Sequence, residues 1–211
     1  MAKFSVILVT FNRLDFTKQT IDSFLKTSPP NFKMIIVDNA STEPGFQEYL
    51  TELEKDKRIK IIRNETNLGW GAAVNIGLKY CHTKWILLSN NDVIYKEGWF
   101  EKSIQAYQDF PEIGVLGLWK HPFAHTTLFE KERGKTKLVV RDLMPAVAWF
   151  MKKEIIKKVG KFFEAGPCLN PDGTPKRGGC GEDTDYNLRV SQIGLWNCGL
   201  KEDVAIHITG T

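Results

Sequence analysis

Short apolar runs that end in polar residues recur through the first half of this chain. Phe4-Ser5-Val6-Ile7-Leu8-Val9 gives way to Thr10-Phe11-Asn12-Arg13, and residues 33–37 give way to Asp38-Asn39-Ala40-Ser41. Residues 58–62 lead to Asn64 and then to Asn67-Leu68-Gly69, and Trp85-Ile86-Leu87-Leu88 gives way to Ser89-Asn90-Asn91-Asp92. Runs that are apolar almost throughout, rather than alternating, suit strands buried on both faces, as in parallel sheets covered by helices. Segments with helical spacing lie between and after them, at 15–27, 44–56, 70–81 and 97–109, and a fifth strand follows at 114–118. The pattern predicts an α/β protein: a mostly parallel, Rossmann-like central sheet flanked by helices, with right-handed crossovers.

Past Trp119 the pattern loosens. A short strand at Leu138-Val139-Val140 and a helix over 152–159 precede a Gly/Pro-rich stretch at 164–181. A loop of that length in a compact protein is usually functional, and it is the predicted lid. A helix over 182–192 and short strands around 196–198 and 204–208 complete the chain.

With 211 residues and no linker or low-complexity tract, the chain reads as one domain. A net charge of +4 suits a phosphorylated ligand but is too weak alone to argue for nucleic acid. Lys152, Lys153, Lys157 and Lys158 read as a solvated helix face. No apolar stretch approaches the roughly 20 residues that span a bilayer, and Met1-Ala2-Lys3 runs into the first strand without a secretory leader pattern. The expected location is cytoplasmic, with peripheral membrane attachment through the basic 152–158 segment left open. The four cysteines, Cys81, Cys168, Cys180 and Cys198, show no C-x-x-C pair. Free thiols in a reducing compartment are the expectation, although Cys168 and Cys180 flank a single loop that a disulfide would close.

Open parallel sheets bind ligands at the carboxyl ends of their strands. One polar strand end means little, since Asp38 or Ser41 alone reads as readily as a helix cap. Four ends on one sheet edge make a crevice. Two distant features join them: an acidic cluster, Glu182-Asp183-Thr184-Asp185, and His207. Together they suit a divalent cation, a diphosphate and a general base. Gly69-Trp70-Gly71-Ala72-Ala73-Val74 only half matches a dinucleotide fingerprint, and no acidic ribose ligand follows. His121 and His125 are separated by Pro122, which argues against a helical zinc pair.

The ordered set of Thr10-Phe11-Asn12-Arg13, Asp38-Asn39-Ala40-Ser41, Asn67-Leu68-Gly69 with Asn75, Asn90-Asn91-Asp92, Gly181-Glu182-Asp183-Thr184-Asp185 with Arg189, and His207 resembles the family 2 glycosyltransferases of GT-A fold. The rhamnosyltransferase-like and galactofuranosyltransferase-like branch is the nearest in pattern. The resemblance implies a nucleotide-sugar-binding half at 1–118 and an acceptor half at 119–211. It implies an inverting, metal-dependent transfer from a UDP- or dTDP-sugar to a hydroxyl. Thr10 and Asp38 would hold the base, Asp38 accepting from a pyrimidine N3–H. Asn12, Arg13, Asn39, Asn67, Gly69, Asn90 and Asn91 would complete the donor site, with Arg13 near base or phosphate. Gly69 would let the backbone approach the nucleoside.

Asn90-Asn91-Asp92 stands where the family carries D-x-D, so the first acid is replaced. Asp92 and His207 would ligate Mn²⁺ or Mg²⁺ beside diphosphate oxygens. Asp183 would be the general base and Glu182 would orient it or the acceptor. Asp185 and Arg189, four apart, would pair on their helix. Trp149 would either stack on an acceptor sugar or fill the core. The acceptor itself stays open: a glycan, a lipid-linked glycan, a protein or modified nucleic acid. Two other functions compete. Asn90 would suit a nucleotide-sugar-binding protein without turnover. A sugar nucleotidyltransferase would want a Gly-rich, basic phosphate loop, which Thr10-Phe11-Asn12-Arg13 is not.

Overall fold

A computed structural model describes residues 2–119, 126–168 and 180–208. The first four strands fall where the apolar runs lie: β1 (Phe4–Thr10), β2 (Phe32–Asp38), β3 (Ile59–Arg63) and β4 (Trp85–Asn90). Between them run α1 (Leu14–Thr27), α2 (Phe46–Leu53) and α3 (Trp70–Leu78). A short β5 (Val93–Tyr95), α4 (Trp99–Asp109) and β6 (Ile113–Gly117) follow. The second half contributes β7 (Thr127–Arg133), β8 (Thr136–Arg141), β9 (Ala148–Lys152), α5 (Lys153–Val159), α6 (Glu182–Gln192), β10 (Trp196–Leu200) and β11 (Ala205–His207).

Nine strands form one sheet in the order β3-β2-β1-β4-β9-β6-β10-β8-β7, and β11 pairs with β5 in a separate two-stranded ribbon. The strands β3, β2, β1 and β4 are mutually parallel, as their uninterrupted apolar character predicts. Their register brings the polar ends level: Thr10 lies beside Asp38, Val9 beside Asn90, and Asp38 beside Arg63. Beyond β4 the sheet is mixed. β9 runs antiparallel between β4 and β6, β10 is parallel to β6, and β8 and β7 add an antiparallel hairpin. The second half of the chain therefore supplies a strand to the middle of the first.

Burial drives these placements. All seven residues of β1 are buried, and β2 and β6 are nearly or wholly so. One aromatic cluster joins Phe4, Phe24, Trp99, Phe100 and Phe150 across the sheet and its helices. A second joins Trp70, Trp149, Phe162 and Tyr186, with the Phe162 and Tyr186 rings stacked at 3.9 Å. The polar β7 is exposed along its whole length, as an edge strand can be. In α5 the buried side chains are Ile155 and Ile156 while Lys157 and Lys158 face water; the expected solvated face holds for these two only, because Lys152 ends β9 with its side chain 18% exposed and Lys153 Nζ donates to the Cys81 carbonyl at 2.6 Å.

The thiol expectation needs correction. Cys168 and Cys180 are disulfide-bonded; Cys81 and Cys198 are buried free thiols. Burial pushes the Cys81 thiol up to about 11. Most of the expected lid, and both His121 and His125, lie outside the described residues. Among those described, no helix is long and apolar enough to cross a membrane.

Candidate active site

The carboxyl ends of β1, β2 and β4 are laced together by side chains. Thr10 Oγ1 donates to Asp38 Oδ1 at 3.1 Å. Ser41 donates to Asp38 through its hydroxyl and, at 3.3 Å, through its backbone amide. Gln47, reaching in from α2, donates to Asp38 Oδ2 at 2.8 Å. Asp38 is wholly buried and these donors engage both its oxygens, so it fastens the β2–α2 turn to β1.

Asn12, Arg13 and Ala40 are the non-glycine residues of positive φ among those described, and all follow β1 or β2. Left-handed backbone costs such residues roughly 1 kcal/mol or more each and persists only where surroundings enforce it. Here they do. The Asn12 amide donates to Ser41 Oγ at 2.7 Å, and Asn12 Oδ1 accepts the amides of Thr42 and Glu43. Asn91 Nδ2 donates to the Asn12 carbonyl at 2.9 Å.

Asp92 is carried by a second device. Thr17, Thr20 and Ser23 sit three apart on α1 and so share a face. Their hydroxyls accept, in turn, from Asn91 Nδ2 at 2.8 Å, Val93 N at 2.9 Å and Tyr95 N at 3.1 Å. This stripe pins β5 and the turn before it, and was not singled out in the sequence. Asp92, whose side chain is 5% exposed, is then held where Arg13 Nη1 reaches its Oδ2 at 2.9 Å. His207 Nε2 lies 3.1 Å from the same oxygen, brought there by the pairing of β11 with β5.

The third strand end is tied to the second: Asn39 Nδ2 donates to the Gly69 carbonyl at 3.1 Å, and Asn67 Oδ1 accepts from Gly69 N at 2.9 Å. Gly69 has φ +84°, and a Cβ there would lie 2.0 Å from the Gly166 carbonyl oxygen. The close approach that needs glycine is thus made by the chain's own 163–166 segment. Asn75 holds the same segment, donating to Phe162 O and Glu164 Oε1 and accepting from Phe162 N.

Glu182 and Asp183 open α6 but part company. Glu182, 7% exposed, accepts from Gly71 N at 3.0 Å and so caps the start of α3. Burial pushes its carboxyl above the usual range, opposed by the Gly71 amide and reinforced by nearby Asp183. It is spoken for structurally and has little freedom to orient an acceptor. Asp183 Oδ2 accepts from Ala146 N at 3.4 Å, and the next residue, Val147, accepts the Asn90 amide at 2.9 Å. Asp183 is therefore linked to the β4 end through the Ala146-Val147 backbone. Asp185 and Arg189 form the expected pair. Trp149 is wholly buried in β9, donates to the Pro145 carbonyl at 2.7 Å and packs on Trp70 and Tyr186. Its indole offers no face to a sugar, and of the two sequence alternatives it takes the core.

Among the described residues no three His, Cys, Asp or Glu side chains cluster as a metal site. Asp92 and His207 nonetheless offer two ligand atoms close enough to share one ion. Asn90 Oδ1 is buried with no hydrogen-bond partner and supplies a neutral oxygen where a carboxylate is replaced. This donor set fits Mn²⁺ or Mg²⁺ completed by diphosphate oxygens. Two surface grooves, of about 550 Å³ between α3 and α5 and about 610 Å³ beside α4 and β8, contain none of Asn90, Asp92 and His207, although Asn75 lines the first.

Comparison with known proteins agrees with this layout. An uncharacterised glycosyltransferase of Haemophilus influenzae is 31% identical over 149 residues, 60% of this chain and 46% of that protein. The chain spans about half the length, or less, of most of the curated relatives it matches. GalNAc-T7, solved with UDP, GalNAc and Mn²⁺, superposes with a TM-score of 0.73 at 15% identity, over 94% of this chain and 41% of that one. The mannosyltransferase PcManGT of Pyrobaculum calidifontis, solved with GDP-Man and Mn²⁺, gives 0.68 at 15% identity, over 96% and 57%. These neighbours establish the GT-A fold. With residues 5–168 matching the glycosyl transferase family 2 model, the chain belongs to that family.

Proposed function

We propose that this chain is an inverting, metal-dependent glycosyltransferase that moves one sugar from a nucleoside-diphosphate sugar to a hydroxyl acceptor. The observation that carries the reading is the cluster of Arg13, Asp92 and His207 just past the β4 end, on the sheet edge where Asp38 ends β2. UDP with Mn²⁺ in one structural neighbour and GDP-Man with Mn²⁺ in another support donor and ion classes, while leaving the base open.

Asp38 and Thr10 would meet the base, with Gln47 giving up Asp38 Oδ2 to it. Asn39, Asn64 and Asn67 shape the backbone around the nucleoside. Asp92 and His207, with Asn90, would hold a divalent ion, which when bound neutralises the leaving diphosphate. Asp183 would take the proton of the acceptor hydroxyl as that oxygen attacks the anomeric carbon and the bond to the diphosphate breaks on the opposite face. Glu182 would act at one remove, fixing α6 against α3. The acceptor classes stay as the sequence leaves them. We place the enzyme in the cytoplasm, with α5 as the face for any peripheral attachment.

The test is donor turnover with Mn²⁺, followed as UDP release. Asp183→Asn should lose about 10²–10⁴-fold in rate while UDP binding is kept, the usual worth of a positioned base. Release at the wild-type rate would remove Asp183 from the mechanism. Asn90 favours a second reading, a nucleotide-sugar-binding protein without turnover. Tight UDP binding with no release from any donor would establish it.

A further inference from the structure

We infer that Arg13 is a built-in counter-ion of Asp92, which a divalent ion must displace, so that metal binding is coupled to arrival of the diphosphate. The inference rests on the proposal that Asp92 ligates the ion. Arg13 Nη1 and His207 Nε2 meet the same oxygen, Asp92 Oδ2, at 2.9 and 3.1 Å. A divalent cation approaching that oxygen encounters a guanidinium already on it, and like charges exclude one another at such distances.

The position of Arg13 is constructed. It and Asn12 both adopt left-handed backbone, φ 63° and 53°. Asn91 grips the Asn12 carbonyl, and Thr17 Oγ1 donates to the Arg13 carbonyl at 3.0 Å. Neighbouring residues of one motif thus take separate roles. Asn91 holds the loop, and Asp92 receives the side chain that the loop presents. Exposure is unequal. The Arg13 side chain is 42% exposed and that of Asp92 5%, so the guanidinium has an open path away while the carboxylate has none.

Charge explains why such a device suits this chain. With Asn90 in place of an acid, the Asn90-Asn91-Asp92 turn carries one carboxylate, which a single guanidinium balances. When a diphosphate arrives, its negative charge gives Arg13 a second partner of the kind arginine pairs with well. Asp92 is then released to an ion that the same diphosphate helps to ligate. Linkage requires the effect to be reciprocal: nucleotide tightens metal binding and metal tightens nucleotide binding by one factor.

Mn²⁺ binding measured by electron paramagnetic resonance, with and without UDP, tests this on the wild type, Arg13→Gln and Asp92→Asn. Arg13→Asn serves as a second variant, because Asn tolerates the left-handed backbone. Without UDP, both Arg13 variants should bind Mn²⁺ about two- to fivefold more tightly than wild type, a partly exposed pair being worth up to about 1 kcal/mol. UDP should then improve Mn²⁺ affinity less in them than in wild type. Equal affinities in wild type and both variants, with and without UDP, would overturn the inference while loss of binding in Asp92→Asn kept the metal site. Mn²⁺ binding by Asp92→Asn at wild-type strength would remove the metal site and the inference together.

Discussion

Gly71→Ala separates two opposing forces at the start of α3. Within a helix, replacing Gly by Ala ordinarily stabilises by up to about 1 kcal/mol, through lost freedom of the unfolded chain. Here an added Cβ would lie 2.0 Å from the Phe163 carbonyl oxygen and 3.2 Å from Glu182 Oε1. Ordinary contact needs roughly 3.5 Å, so the Phe163 carbonyl must retreat by about 1.5 Å. Overpacking against backbone costs about 1–3 kcal/mol. Disturbing the Gly71 amide bond to the buried Glu182 carboxylate adds up to about 1.5–3 kcal/mol. Set against the helix gain, the expected result is a net loss of about 2 kcal/mol. Urea unfolding followed by tryptophan fluorescence measures it, and trypsin cleavage after Lys161 should quicken as the 163–166 segment lifts. An Ala variant more stable than wild type, with cleavage unchanged, would refute the packing of that segment on α3.

Trp149→Ala should cost about 3–5 kcal/mol, the range for emptying a buried aromatic site. Acceptor KM in the folded fraction should be unmoved, whereas a platform for sugar would show the reverse. Burial raises the Glu182 carboxyl, so its proton is held more tightly in the folded chain; stability from this group is fullest in acid and is lost as pH rises through the raised value. Wild type should therefore lose stability relative to Glu182→Gln between acid and neutral pH, measured by urea midpoints, and an opposite slope would discard that account. The Cys168–Cys180 disulfide spans a separation of 12 residues, and closing a loop of that size stabilises by about 3 kcal/mol. Cys168→Ser should lower the urea midpoint accordingly, and a variant as stable as wild type would show the bond to be energetically idle.

The parallel half of the fold was legible because its strands are buried on both faces and say so in uninterrupted apolar runs. Helix α6 was legible to the residue, since Gly181 precedes it and acids fill its first turn. Strand β9 was not. Val147 to Met151 is as apolar as β4, but it follows Pro145 and runs directly into α5, so nothing in the sequence separates it from that helix as a strand. Strand β7 hid for the opposite reason: Thr127–Arg133 is polar and exposed, and only pairing with β8 makes it a strand. At the site, the residue types and their strand-end positions could be read, but their mutual engagement could not. Gln47 on Asp38, Arg13 on Asp92 and the hydroxyl stripe of α1 all depend on which side chains meet in space. The disulfide was not legible because cysteine spacing alone does not show whether Cys168 and Cys180 meet.

The central place of β9 bears on how the chain can be made and cut. Until residues 148–152 leave the ribosome, β4 and β6 have no strand between them, and the pairings of Ser89, Leu87 and Leu116 with β9 are missing. The middle of the sheet is therefore finished late in synthesis. A fragment ending at 118 would expose two bare strand edges and a slot where Trp149 and Phe150 belong. Grafting that fragment elsewhere as a nucleotide-recognition module calls for Ala148–Lys152 to be supplied with it, in trans as a complementing peptide or by circular permutation.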